Sequence, residues 1–271
     1  MSHGIVDQLR VEAGKAPHLD KRNPDTRLGS GDKQAGLARL EEIVTRLGPL
    51  HYRLQAEATR SLLLVLQGMD ASGKDGTIRH VLAGINPQGC RIVSFREPTS
   101  TELAHDFLWR VHAACPARGE MAIFNRSHYE DVVAVRVRGL APATTWRPRF
   151  EHIRAFERLL ADEGTTVLKV FLHLSRDEQR RRLQERLENP EKRWKFRLGD
   201  LDDRARWDDF AEAYEDAIRE TSTEWAPWYI VPADHNWMRN LAVGEILLET
   251  LEHLDPKLPE PDTGLDGVEV P

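Results

Sequence analysis

The segment Ser61-Leu62-Leu63-Leu64-Val65-Leu66-Gln67 runs directly into Gly68-Met69-Asp70-Ala71-Ser72-Gly73-Lys74-Asp75-Gly76, and this junction constrains the fold more than any other part of the chain. An unbroken apolar run reads as a strand buried on both faces. The glycines then allow a sharp turn, and Asp75-Gly76-Thr77-Ile78-Arg79-His80-Val81 can open a helix behind it. Strand, G-x-x-x-x-G-K and helix, in that order, are the layout of a P-loop. Backbone N–H groups and a helix N-terminus face a phosphate, and Lys74 adds a mobile positive charge. Gly68, Met69, Ala71, Ser72, Gly73, Lys74, Asp75 and Gly76 are therefore the expected phosphate-binding residues. The motif departs at one position. Where Ser or Thr usually holds magnesium stands Asp75, and Asp70 adds a second carboxylate within the loop. An ordinary glycine-rich turn is the plainer reading, and the full match in a strand-then-helix context weighs against it.

A chain of 271 residues suits one large α/β domain, or one domain with an appended lid. The net charge of −6 gives no general affinity for nucleic acid or for an anionic membrane, so a polyanion site has to be built locally. Cys90 and Cys115 form neither a metal-spaced pair nor a disulfide framework. The first residues carry no basic-then-apolar leader, and no apolar run approaches the length of a bilayer span. These features together predict a cytoplasmic protein without nucleic-acid or membrane partners.

Residues 1–32 are polar and interrupted by Pro17, Pro24, Gly29 and Gly31, which predicts an extended arm. Helical spacing of Leu37, Leu40, Val44 and Leu47 follows, and Gly48-Pro49 is expected to break or kink that helix. Further strands are expected at about 90–95, 120–124, 165–172 and 228–231. Helices are expected at about 101–114, 146–163, 176–187, 202–222 and 236–254. Strands separated by helices imply right-handed crossovers. The expected architecture is a three-layer α/β/α sandwich with a central parallel five-stranded sheet and a helical lid at about 176–205, the domain spanning 33–255. Residues 256–271, rich in proline and acids, are expected to be disordered.

Two further segments carry chemistry. Phe124-Asn125-Arg126-Ser127-His128-Tyr129-Glu130-Asp131-Val132 follows the third strand, where doubly wound folds gather their ligands. Arg126 is placed to clamp phosphate oxygens, each charge-assisted bond being worth roughly 1.5–3 kcal/mol. His128 and Tyr129 read as packing or capping residues, and Glu130 and Asp131 suit a helix N-terminus whatever the function. In Ser175–Lys195, Arg182 and Arg186 stand four apart on one helix face and could arrive over the glycine-rich loop. The plainer reading is a solvated helix with pairs such as Glu178 with Arg182.

These segments, with Ile85-Asn86-Pro87-Gln88-Gly89, Asn189-Pro190-Glu191-Lys192-Arg193-Trp194-Lys195-Phe196, Thr221-Ser222-Thr223-Glu224-Trp225-Ala226-Pro227-Trp228-Tyr229 and Trp237-Met238-Arg239-Asn240-Leu241-Ala242, resemble the polyphosphate kinase 2 family over roughly residues 33–255. The resemblance implies a thymidylate-kinase-like fold. It also implies magnesium-dependent phosphoryl transfer between inorganic polyphosphate and nucleotides, with manganese as a substitute metal. Adenine nucleotides are the expected acceptors, guanine nucleotides are further candidates, and a homo-oligomer (dimer or tetramer) is expected. Many members carry Asp-Arg-Ser where this chain has Asn125-Arg126-Ser127, with another residue at the position of Glu130. The form seen here resembles the subgroup acting on both nucleoside monophosphates and diphosphates. Asn125 and Glu130 are thus the expected acceptor-specificity positions, and a neutral Asn125 is a poorer magnesium ligand than a carboxylate.

Within that reaction Asp70 and Asp75 are assigned to the metal. Lys74 and Arg126 hold the transferring phosphoryl group, and Arg182 and Arg186 close from the lid. One competing reading is an ATP-dependent nucleoside monophosphate kinase. Another is a nucleotide or polyphosphate sensor with little turnover.

Overall fold

All seven residues of Ser61–Gln67 are buried, and the pleat divides them. Leu62, Leu64 and Leu66 enter one hydrophobic cluster, and Leu63 and Val65 enter another on the opposite face. A strand that is apolar on both sides needs a cover on both, and the chain supplies it. In the computed structural model, which describes residues 4–263, the strands are β1 (Arg10–Val11), β2 (Ser61–Gln67), β3 (Cys90–Ser94), β4 (Met121–Asn125), β5 (Thr165–His173) and β6 (Trp228–Pro232). They form one sheet in the order β1-β6-β5-β2-β4-β3. Neighbours are parallel except β1, which runs antiparallel to β6.

One face is covered by α1 (Lys33–Glu57), α2 (Lys74–Val81) and α7 (Asn236–Leu254), through residues such as Ile43, Leu47, Val81, Leu241 and Leu247. The other is covered by α3 (Arg149–Asp162) and α6 (Trp207–Thr221), through Ile153, Phe156, Tyr214 and Ile218. Between β5 and α6 lie α4 (Arg176–Glu188) and the short α5 (Gly199–Ala205).

The expected five-stranded sheet is corrected to six strands. The extra strand, β1, comes from the segment expected as an extended arm. It follows a short helix, Ile5–Leu9, and a strand of two residues carries no alternation from which to read it. Farther along the same segment, the Glu215 carboxylate on α6 accepts the backbone N–H groups of His18 and Leu19, both at 2.9 Å.

Pro49 does not break α1, which is one continuous helix from an Asp32 cap whose carboxylate accepts the Ala35 N–H at 2.9 Å. Burial of Leu40, Ile43, Leu47 and Leu54 along one face outweighs the hydrogen bond that proline forfeits. Gly48 has a separate reason to be glycine: a Cβ there would stand 2.9 Å from the Gly84 carbonyl oxygen.

Two expected helices are each divided, into Ser100–Leu103 and Trp109–His112, and into α5 and α6. Of the expected disordered tail, 256–263 carry no helix or strand, and 264–271 lie outside the described residues. Among the described residues no helix is long and apolar enough to cross a membrane.

Candidate active site

The loop between β2 and α2 lies at the C-terminal end of the sheet's central strand. Gly73, which caps α2, has φ +100°, and a Cβ built on it would stand 1.9 Å from Nη1 of Arg239. Both the backbone conformation and the close approach require glycine there. Lys74 folds back into the loop. Its ammonium donates to the carbonyls of Gly68 at 2.7 Å and Met69 at 3.3 Å, and to Ser72 Oγ at 3.4 Å. Burial, and then the Arg126 charge, push its pKa down to about 8. The lysine is thus held at the lip of the cavity, and an arriving anion would favour its charged form.

Arg126 follows β4 with φ +63°, and its N–H donates to Leu66 O across the sheet at 3.1 Å. Its guanidinium sits between two acids: Nη2 donates to Asp70 Oδ1 at 2.6 Å, and Nη1 lies 3.5 Å from Glu130 Oε2. Glu130 foremost, and then Asp70 against the opposing effect of burial, raise the Arg126 pKa above its ordinary value. Asn125 donates from Nδ2 to Asp75 Oδ1 at 2.7 Å, so the neutral amide orients a carboxylate instead of acting as one. The other oxygen of Asp75 lies 3.9 Å from Lys195 Nζ. With the Gln67 amide turned to satisfy its neighbours, its nitrogen donates to Glu130 Oε1 and Tyr214 Oη, both at 3.2 Å.

Arg182 and Arg186 part company. Arg186 lines the wide cavity in front of the loop and lies 3.7 Å from Asp200 Oδ2. Arg182, expected to act from the lid, is buried behind the loop. It donates to the carbonyls of Ala71, Ser72, Ala233 and Asp234, and from Nε to Glu178 Oε1 at 2.7 Å. With its donors taken up in this way, it braces the loop and does not face the cavity.

Sequence reasoning assigned no role to Arg239, which performs the matching task from α7. It is 2% exposed and donates to Ser72 O at 3.2 Å, Asn236 Oδ1 at 2.7 Å and Asn240 Oδ1. Burial, and then Arg182, lower its pKa. Gln179 was missed too, and its amide donates to the Asp70 carbonyl at 3.0 Å. The only available signal was that Arg239 lies in one of the segments carrying the family resemblance.

The loop opens on a cavity of about 1200 Å³ whose walls include Asp70, Lys74, Asp75, Arg126, Glu130 and Arg186. Arginines from separate elements, among them Arg79, Arg96, Arg110, Arg138 and Arg149, add to the same walls. A smaller basic cavity of about 440 Å³ lies against the other side of the loop, with Arg182 and Arg239 in its lining. Of the sequence-predicted residues, Asp70, Ala71, Gly73, Lys74, Asp75, Gly76, Asn125, Arg126, Glu130 and Arg186 come together at the large cavity, and Gly68, Met69, Ser72 and Arg182 do not line it.

The family model for Polyphosphate kinase 2 matches residues 30–259. The AMP/ADP-polyphosphate phosphotransferase of Meiothermus ruber is 57% identical over 264 residues, 97% of this chain and 99% of that protein. The ADP-polyphosphate phosphotransferase of Rhodopseudomonas palustris is 47% identical over 229 residues, covering 80% and 79%. The crystal structure of polyphosphate kinase 2 from Arthrobacter aurescens TC1 superposes with a TM-score of 0.93 at 41% identity, over 98% of this chain and 95% of that one.

Proposed function

The chain belongs to the polyphosphate kinase 2 family, and from that premise we propose that it transfers phosphoryl groups between inorganic polyphosphate and adenine nucleotides, converting AMP to ADP and ADP to ATP. Guanine nucleotides are proposed as further acceptors. The observation that carries this reading is the concentration of basic groups from separate elements around one glycine-rich loop, in a protein whose net charge is −6. Such a site suits a reaction that brings two polyanions together. On this reading the loop is a P-loop within a kinase sandwich, and residues 176–205 are its lid.

An oxygen of the acceptor's terminal phosphate attacks the end phosphorus of polyphosphate. The bridging P–O bond breaks, and the shortened chain leaves with the electron pair. The second pKa of a phosphate monoester is about 6, so the attacking oxygen is already largely anionic at neutral pH and needs no strong base. Positioning and charge neutralisation then carry the catalysis. The loop N–H groups hold the transferring phosphoryl group. Lys74 exchanges loop carbonyls for phosphate oxygens, and Arg126 exchanges its carboxylate contacts for the same group. Arg186 closes from the lid side, and closure excludes water.

Asp70 and Asp75 suit magnesium. Among the described residues no cluster of three His, Cys, Asp or Glu side chains could enclose a metal, while two loop carboxylates line the cavity. Magnesium is held in such sites by one or two carboxylates plus phosphate oxygens, and manganese accepts the same oxygen donors. When bound, the metal neutralises charge on the phosphates.

The test is ATP formation by purified protein given magnesium, polyphosphate and either AMP or ADP, with Lys74→Ala as control. Product from both acceptors supports the broad reading. Absence of product, with transfer from ATP to a nucleoside monophosphate instead, assigns the protein to the competing kinase class.

A further inference from the structure

Directly beneath the Arg126 turn, the core contains a charged pair without solvent contact. Lys169 on β5 and Glu157 on α3 are both 0% exposed, and Lys169 Nζ donates to Glu157 Oε2 at 2.5 Å. The ammonium is also held by the Thr221 carbonyl at 2.7 Å and the Tyr129 hydroxyl at 3.1 Å. Tyr129 in turn donates to Glu157 Oε1 at 2.8 Å and lies 2.9 Å from Thr221 Oγ1. Its ring is 1% exposed and packs edge-on against Trp228. A second side chain of the same turn, His128, is also fully buried, with Nε2 3.4 Å from Glu157 Oε1.

The turn is therefore divided by direction. His128 and Tyr129 point inward to the pair, while Arg126 and Glu130 line the cavity. Arg126 also holds a left-handed backbone, φ +63°. Such a conformation in a non-glycine residue persists only where the surroundings over-determine it. The pair is an unusual way to buy stability, because well-packed apolar residues often serve a core as well or better. What the pair provides is directional: fixed acceptors and donors that admit one placement of the Tyr129 hydroxyl.

Resting on the polyphosphate-transfer reading, we infer that Glu157 and Lys169 are positioning residues for that reaction, acting through Tyr129 to fix where Arg126 and Glu130 stand. Neither touches the cavity. Their effect is on the geometry of the clamp, so it falls on turnover and acceptor choice more than on capture of the polyanion.

The experiment compares wild type, Tyr129→Phe and the double variant Glu157→Leu/Lys169→Met in one assay. It reads kcat and KM for polyphosphate, the AMP-to-ADP rate ratio and the melting temperature. Tyr129→Phe removes one oxygen, and the double variant replaces both charges together so that neither is left unpaired. Because displacement of a reacting group by about 1 Å can cost around 100-fold, kcat is expected to fall roughly 10- to 100-fold in the folded variants. KM for polyphosphate should change less, and the acceptor ratio should shift. Wild-type kcat and ratio in folded Tyr129→Phe would overturn the inference, as would a loss proportional to the fraction unfolded. Should the double variant not fold, Tyr129→Phe decides alone. Lack of transfer by the wild type would defeat the functional reading itself, an outcome distinct from wild-type transfer with an undisturbed Tyr129→Phe.

Discussion

Two sets of arginines meet the glycine-rich loop, and they differ in what they bond to. Arg126, in front, is held by the carboxylates of Asp70 and Glu130 at the edge of the large cavity. Arg182 and Arg239, behind, are buried and donate largely to backbone carbonyls and amide oxygens. A carboxylate contact can be exchanged for a phosphate contact, since both offer anionic oxygens to the same fork. A carbonyl contact in the loop's own backbone is spent on the loop's shape. Charge near the loop is thus not by itself a reason to expect phosphate contact, and the partner of each guanidinium separates the proposed working group from the brace.

The largest expected effect is at the front. Lys74→Ala should lower kcat by roughly 10²–10³-fold, the loss typical of removing one donor to a developing charge. Circular dichroism should show the fold retained, and near-wild-type turnover would remove Lys74 from the site. Asp70→Asn should raise the magnesium concentration needed for half-maximal rate, and an unmoved magnesium titration would contradict the metal role proposed for it.

The depressed Lys74 pKa adds a pH signature. In the free protein the ammonium is charged below about 8 and neutral above it. The kcat/KM for polyphosphate, which reports groups of the free enzyme, should therefore fall as pH rises through about 8. Asp70 raises this pKa, so Asp70→Asn should move the break lower. For stability the sign is opposite. Between about 8 and the ordinary value of 10.5 the unfolded chain binds more protons at this site, so the penalty of burying the charge is full below 8 and lifts as pH rises. Urea midpoints across that interval, compared with Lys74→Met, test it.

Next in size is the brace. Arg239→Met leaves the buried Asn240 amide oxygen without its donor and the Ser72 carbonyl with Arg182 alone, at a cost of about 1–3 kcal/mol for the buried unpaired group. Denaturant unfolding should show that loss, with a raised KM for polyphosphate from a looser loop. If Arg239→Met left stability untouched while abolishing phosphate binding, the division between front and back would fail.

Much of this was legible because the physics is local. The unbroken apolar run of β2 could only be a strand covered twice, and the loop motif stands immediately after it. Arg126 followed from its place after β4, whereas Glu130 was singled out only by the family resemblance. The misses share a different cause. The role of Arg239 depends on α7 crossing beneath Gly73, a contact between residues far apart in sequence. Arg182 shares a helix face with Arg186, yet one turn of helix sends the first to loop carbonyls and the second to the cavity. β1 was hidden because two residues have no period, and Pro49 misled because packing along α1 outweighs local propensity.

The smallest predicted effect bears on the front set's finer task. Glu130 shares Arg126 with Asp70, and the reoriented Gln67 amide links it to Tyr214. A carboxylate so held can repel or admit the extra phosphate that distinguishes a nucleoside diphosphate from a monophosphate. Glu130→Ala removes that charge and leaves Arg126 paired with Asp70 alone, so the clamp persists while its bias changes. The AMP-to-ADP ratio of kcat/KM should shift by a few-fold, on the order of 1 kcal/mol, where ~1.4 kcal/mol corresponds to tenfold. Gln67→Leu should move the ratio in the same direction by less, because it frees the carboxylate without removing it. A changed ratio in Glu130→Ala with an unchanged one in Gln67→Leu would mean that the charge matters and its orientation does not. An unchanged ratio in both would leave acceptor choice to the cavity walls beyond this turn.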